Sequence, residues 1–161
     1  FNYFYGEVFP IPEPLLTEVP KLLGIDGRKM SKSYNNSIYL RDRGDDLRKK
    51  VGSMFTDPQR MRKDDPGRPE ICNAFAFHKI YSPSDGVDEI EEGCRKAGIG
   101  CVECKKRLAE GISKGMEQIH ERHDYYLNNL EEVKEFIENG IRRATEIARL
   151  TMYEVREVVK I

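Results

Sequence analysis

The stretch GIDGRKMSKSYNNS, Gly24 to Ser37, sets Arg28, Lys29 and Lys32 among Ser31 and Ser33 and follows neither a helical nor a strand period. Gly24 and Gly27 permit tight backbone geometry on one side, and Asn35 and Asn36 favour turns on the other. The segment therefore reads as a surface loop. Two ammonium groups three residues apart, with a hydroxyl on either side of the second, can surround a phosphate chain. The glycine spacing is not that of a Walker loop, since no Gly-Lys-Ser/Thr opens a helix. A basic loop of no special function would have a similar composition.

The sequence changes character on the two sides of this loop. From Phe1 to Ser37 the residues are of extended type, interrupted by Pro10, Pro12, Pro14 and Pro20, so short strands and turns are expected. From about Asp42 onward the pattern is helical. A first helix is expected over 45–55, ended by Asp57-Pro58, and a buried one over 70–81 with Pro69 and Glu70 in its first turn. SPSDGVDEIEEGC predicts a third, with Ser84 or Asp85 as N-cap and the break AGIG after it. Leu108, Ile112, Met116, Ile119, His123 and Tyr126 recur at steps of three and four, as do Val133, Phe136, Ile137, Ile141, Ala144, Ala148, Met152, Val155 and Val159. Two last helices sharing a core are the simplest reading. His78 and His123 fall at apolar positions and His120 on the surface, and none is assigned chemistry.

With 161 residues, 39% of them hydrophobic and 34% charged, and a net charge of -1, the chain has the composition of a soluble globular protein. No apolar run in the sequence is long enough to cross a bilayer, and it contains no basic-then-apolar leader with a small-residue cleavage site, so a cytoplasmic protein is expected. The start at FNYFYGEVF, apolar and without methionine, reads as a fragment. Charge is uneven: between Lys21 and Arg68 there are thirteen Lys or Arg against seven Asp or Glu. A second basic cluster, Arg95, Lys96, Lys105, Lys106 and Arg107, brackets Cys101 and Cys104 and follows directly on Cys94. Solvated helix faces would look the same, but two basic patches suit an extended polyanion.

Cys72, Cys94, Cys101 and Cys104 are the chain's four cysteines, spaced C-x21-C-x6-C-x2-C. Without a secretory leader they point to metal before disulfides. Four thiolates hold either a structural zinc or an iron-sulfur cluster, and spacing does not choose between them. Unligated buried cysteines are the plainer alternative. Cys72, in the first turn of the expected helix, is placed where the helix dipole favours a thiolate.

Lys29-Met30-Ser31-Lys32-Ser33 matches the KMSKS signature of class I aminoacyl-tRNA synthetases letter for letter. The likeness continues through PKLLGIDGRKMSKSYNNSI, MFTDPQRMRKDDPGRPEICNAFAFHK, AGIGCVECKK and RRATEIARLTMYEVREVV, so that the whole chain resembles the carboxyl-terminal half of bacterial tryptophanyl-tRNA synthetases. The tyrosyl enzymes share the loop type but not the DPGRPE-x-C and AGIGC-x-x-C pieces.

The resemblance implies a mainly α chain in two parts. Residues 1–41 would be the last short strands and KMSKS loop of a Rossmann-like α/β catalytic domain, and 42–161 a helical anticodon-binding domain. It implies ATP-dependent activation of tryptophan and transfer to tRNA(Trp). Lys29, Met30, Ser31, Lys32 and Ser33 would bind ATP, supplied with Mg, and Lys29 and Lys32 would be catalytic. Arg95, Lys96, Lys105, Lys106 and Arg107 would face tRNA. The HIGH-type motif and amino-acid pocket belong to the family's amino-terminal half and are not in this sequence, so the chain alone is expected to be inactive and the whole enzyme a homodimer. Some members carry a [4Fe-4S] cluster on C-x22-C-x6-C-x2-C. This chain resembles that pattern but is one residue shorter in the long gap, a deletion that a loop of that length can absorb, so the cluster is favoured, with zinc as the alternative. A stand-alone metal-containing RNA-binding module without catalytic activity is the competing reading.

Overall fold

The structure, a computed structural model, describes residues 1–17, 19 and 22–161. Among them the regular elements are helical: α1 Asn2–Tyr5, α2 Gly44–Gly52, α3 Asn73–Tyr81, α4 Ser84–Arg95, α5 Cys101–Gly115, α6 Glu117–Asn128 and α7 Leu130–Val159. By contacts the chain forms two compact units, Val19–His123 and a second made of Phe1–Glu18 with Asp124–Ile161. No described helix is long and apolar enough to cross a membrane.

The core of the first unit is built by α2, α3 and α5. Leu47, Val51 and Met54 meet Ala74 and Phe77 from α3 and Leu108, Ala109, Ile112 and Met116 from α5. Each set lies one helical turn apart on its own helix, so three amphipathic faces close on one another. Acidic Asp45 and Asp46 open α2 and basic Lys49 and Lys50 close it, as the helix dipole favours. Leu22, Ile25, Met30 and Ile38 pack against the same core from the loop, which is how a surface segment gains a fixed place. A smaller cluster, Phe75, Ile90 and Ile99, lies between α3, α4 and the turn before α5.

Four local expectations are corrected. The short strands expected before Ser37 do not form among the described residues, where Leu23 and Lys29 make one isolated antiparallel bridge. Pro10, Pro12 and Pro14 remove backbone donors, and no neighbouring strand is there to receive the rest. The helix expected over 70–81 is interrupted: a 3-10 turn, Pro69–Ile71, precedes Cys72, whose extended backbone (φ -86°, ψ 118°) makes it the N-cap of α3. The N-cap of α4 is Pro83, so neither Ser84 nor Asp85 caps it; the Asp85 carboxylate accepts from the Gly86 N–H instead. The shared core expected of the last two helices is not seen among the described residues: neither α6 nor α7 buries a residue, and the stripe that begins Leu108, Ile112, Met116 is interrupted after Met116, where Ile119 and His123 are exposed.

The turn between α4 and α5 is left-handed at Ala97 (φ 56°), not at a glycine. The Gly98 and Ile99 N–H groups both donate to the Gly93 carbonyl, closing α4. In the second unit, Asn2 clamps the first turn by donating to the Phe9 carbonyl at 2.6 Å and accepting from the Val8 and Phe9 N–H groups. Phe1 packs on Tyr5 and Phe9, Tyr126 meets Phe136 edge-on, and Tyr125 donates to Glu132 at 2.9 Å.

Candidate phosphate loop and four-cysteine group

The loop is organised by Asn36, which is 2% exposed. Its amide nitrogen donates to Asp26 Oδ1 at 2.8 Å and to the Lys29 carbonyl at 3.2 Å, while its Oδ1 accepts from the Ser31 N–H at 2.8 Å. Gly24 has to be glycine here, since a Cβ would lie 2.3 Å from the Asn36 amide carbon. Asp26 ties Arg28 by its backbone N–H and its guanidinium, at 3.0 and 2.8 Å. The hydrogen bond from Asn36, and after it those from Arg28, outweigh burial and lower the Asp26 pKa to about 2. Arg28 also lies over the Tyr34 ring at 4.7 Å, so it is a structural residue of the loop.

Ser31 caps the 3-10 turn Lys32–Tyr34 by accepting from the Ser33 N–H at 3.3 Å, and Asn35 ends the turn in the left-handed region. Lys29 and Lys32 make no ion pair with a described residue, and both are exposed. Lys32 lines an open pocket with Met30, Tyr39, Arg41, Ile119 and His123. The composition of the segment had suggested one basic cluster; among the described residues its three cations divide into one that is bound and two that have no ion-pair partner. The clamping role of Asn36 was missed, because the sequence shows only a turn-forming residue type.

Each end of the loop is tethered to the helical core. Asn73, at the start of α3, donates to the Gly24 carbonyl at 2.7 Å in a buried bond, and the Phe55 N–H donates to the Ile25 carbonyl at 2.7 Å. Tyr39 and Asp42 form the far side, where the Asp42 carboxylate receives the Tyr39 N–H and pairs with Lys50.

The four cysteines are reduced and half-buried. Cys72, Cys94 and Cys104 pack against Phe75, Ile90 and Ile99, and Cys101 lies one turn before Cys104 on α5. Burial first, then the neighbouring Cys72, Cys94 and Cys101, push Cys104 up to about 12. Cys72 is also raised, by burial; the N–H groups at the start of α3 pull the other way but make no cap to it, so the thiolate expected from the helix dipole does not prevail. No three Cys, His, Asp or Glu side chains among the described residues converge on a position for a single metal ion.

The residues present nonetheless fit a group larger than one ion. The Cys104 thiol feels the charge of the other three, Cys72, Cys94 and Cys104 share one apolar cluster, and a Cβ on Gly67 would fall 2.5 Å from the Cys94 sulfur, so the chain leaves that sulfur room. A tetrahedral zinc, with Zn–S bonds of about 2.3 Å, would draw four sulfurs to within about 4 Å of one another. The histidine nearest the group, His78, is buried and satisfied: its Nδ1 meets Ser82 Oγ at 2.7 Å and its Nε2 the Cys104 carbonyl at 3.2 Å. Burial lowers its pKa, which keeps it neutral. His123, expected on the core stripe, is exposed.

Among the five cations expected to face tRNA, the structure ties down four. Arg95 pairs with Glu70 and Glu91, Lys96 with Glu92, and Arg107 with Glu89 and Glu103. Lys105 donates to the Gly52 and Met54 carbonyls at 2.9 and 2.8 Å, closing the end of α2. Lys106 is exposed and has no partner among the described residues. Exposed ion pairs hold by at most about 1 kcal/mol, so pairing weakens these cations for phosphate without disabling them. Arg62 and Lys63, not singled out from the sequence, line a shallow cleft with Gly100, Cys101 and Val102.

A KMSKS loop fastened to a helical domain is the arrangement of a class I tRNA synthetase. Residues 1–117 match the family of class I tRNA synthetases (W and Y), and the chain belongs to that family. It is 47% identical over 162 residues to the tryptophan–tRNA ligase of Aquifex aeolicus and 42% identical to that of Thermotoga maritima, in both cases over its whole length. Those matches cover 41% and 49% of the relatives. A crystal structure of tryptophanyl-tRNA synthetase from Campylobacter jejuni, complexed with ADP and tryptophan, superposes with a TM-score of 0.78 at 30% identity, over 99% of this chain and 50% of that one. The chain thus spans about half the length of the curated relatives it matches.

Proposed function

We propose that this chain is the carboxyl-terminal part of a tryptophan–tRNA ligase, in which residues 1–41 supply the loop that handles ATP and residues 42–161 the part that reads tRNA(Trp). The observation that carries the reading is the pair Lys29 and Lys32, exposed and unpaired with any described carboxylate, on a loop framed by the bonds of Asn36 to Asp26, Lys29 and Ser31. The names of the relatives support tryptophan as the amino acid.

In the activation step the tryptophan carboxylate attacks the α-phosphorus of ATP, and pyrophosphate leaves. Negative charge grows on the leaving oxygens. Lys29 and Lys32 answer that charge, and Ser31 and Ser33 retain hydroxyl protons to donate to it. Because the loop's frame is set by Asn36 and Asp26, the ammonium groups need little reorganisation when the charge appears. Activation requires the amino-terminal half of the enzyme, and in the whole enzyme a homodimer is the expected assembly.

Replacing Lys32 by Ala in the full-length enzyme should slow tryptophan-dependent pyrophosphate exchange by roughly a hundredfold or more, about 3 kcal/mol of lost transition-state stabilisation. The KM for tryptophan should be unchanged. An exchange rate equal to wild type would remove Lys32 from the mechanism.

The tRNA-facing surface is proposed around Lys106, with Arg62 and Lys63 beside it and Arg95, Lys96, Lys105 and Arg107 as the weaker, partnered contributors. Cys72, Cys94, Cys101 and Cys104 would hold a [4Fe-4S] cluster, whose thiolate ligation supplies a rigid link between the start of α3, the end of α4 and the start of α5. Protein purified without oxygen should contain about four irons and four sulfides per chain. One zinc and no iron would replace the cluster with a structural ion.

A further inference from the structure

Arg60 lies in the segment 57–68, which Asp57 and Arg68 close into a loop. The Asp57 carboxylate takes the Arg68 guanidinium at 2.7 and 3.0 Å and the Arg68 and Gln59 N–H groups besides. Within that closed loop the Arg60 side chain is fixed at both arms. Its Nη2 donates to the Lys63 carbonyl at 2.9 Å and to the Ile99 carbonyl at 2.7 Å, while its Nη1 lies 3.7 Å from the Cys94 sulfur. Its Nε–H is buried and has no acceptor among the described residues.

A guanidinium held this way does two things to a sulfur group. Its positive charge lowers the energy of added negative charge nearby, and its directed N–H groups withdraw density from the sulfurs they meet. Both effects act most on the most negative state of a metal–thiolate group.

We propose that Arg60 is a positioning residue and hydrogen-bond donor to the metal group held by the four cysteines, and that it sets the group's reduction potential through Cys94. This inference rests on the cluster reading given above. The buried Nε–H becomes the second donor available to that group, which explains why it is left without a partner among the described residues.

The test uses this chain, loaded anaerobically with iron and sulfide, as wild type, Arg60→Met and Arg60→Lys, with iron content, circular dichroism and a redox titration followed in the visible spectrum. Loaded Arg60→Met should be harder to reduce. At a fixed potential its reduced-to-oxidised ratio should fall about tenfold, a shift of about 59 mV for a one-electron couple. Arg60→Lys, which keeps the charge but not the fork, should shift less in the same direction. A loaded Arg60→Met with the wild-type potential overturns the role of Arg60 and leaves the cluster standing. A wild-type chain that takes up no iron overturns the cluster itself, and the inference with it. Should Arg60→Met lose its helical spectrum through the broken ties to Lys63 and Ile99, Arg60→Lys decides alone, and a wild-type potential in it overturns the inference.

Discussion

Gly67 shows what a single missing carbon is for. Its φ is ordinary, so conformational freedom does not demand glycine; space does, because a Cβ would meet Cys94 Sγ at 2.5 Å and Arg60 Cδ at 3.2 Å. Its N–H also donates to the Cys94 carbonyl at 2.9 Å. Gly67→Ala should therefore push the Cys94 side chain aside and lower the iron retained after anaerobic purification. Gly140→Ala, in open space inside α7, should leave iron unchanged and stabilise the helix by about 0.5–1 kcal/mol. At this scale the sequence conveyed residue types but not their duties. AGIG was legible as a break, yet the left-handed residue in it is Ala97, a position that composition alone would assign to a glycine. The two lysines without a described ion-pair partner and the bound arginine of the loop were equally indistinguishable, since what separates them is Asp26 and Tyr34 in three dimensions.

At the scale of one element, the loop depends on the bond between Asn36 and Asp26. Asn36→Ala would leave the part-buried Ser31 N–H without its acceptor, a loss of about 1 kcal/mol. Faster hydrogen exchange at the Ser31 amide would register it. The Asp26 pKa is held at about 2 against an ordinary 3.8, with Asn36 the largest cause. A lowered carboxylate pKa stabilises the ordered loop at pH above about 4, and that stabilisation is lost as pH falls from about 4 towards 2. In Asn36→Ala the Asp26 carboxyl should titrate closer to 3.8, by nuclear magnetic resonance; an unmoved titration would show that Arg28 alone sets it. Helix existence was legible after Asp42, from caps and breaks in the first three helices and from the 3.6 period in the last two, and helix edges were not: the stripe read as one helix through Met116 is divided between α5 and α6. Cys72 breaks the helix expected over 70–81 because Pro69 starts a 3-10 turn that cannot run straight into α3.

At the scale of the molecule, the apolar periodicity was read correctly as helical but assigned to the wrong core. The stripe of α7 is as regular as that of α5, yet its Phe136, Ile137 and Ile141 are all more than half exposed, while Leu108 and Ile112 are fully buried. Period says which face is apolar; it does not say what covers it. Unfolding measurements should separate the two. Ile112→Ala should cost about 2–5 kcal/mol as a core truncation, whereas Ile141→Ala should stay within about 0.5 kcal/mol.

Cys72 and Asn73 are consecutive, and one faces the cysteine group while the other's amide holds the Gly24 carbonyl. A helix turns about 100° per residue. Inserting or deleting a single residue at the start of α3 would therefore swing one of these two attachments away from its target whichever way the helix settled. The Ser82-Pro83 turn between α3 and α4 carries no such double duty, so changes of chain length in the gap between Cys72 and Cys94 have a tolerated address there and a forbidden one ten residues earlier.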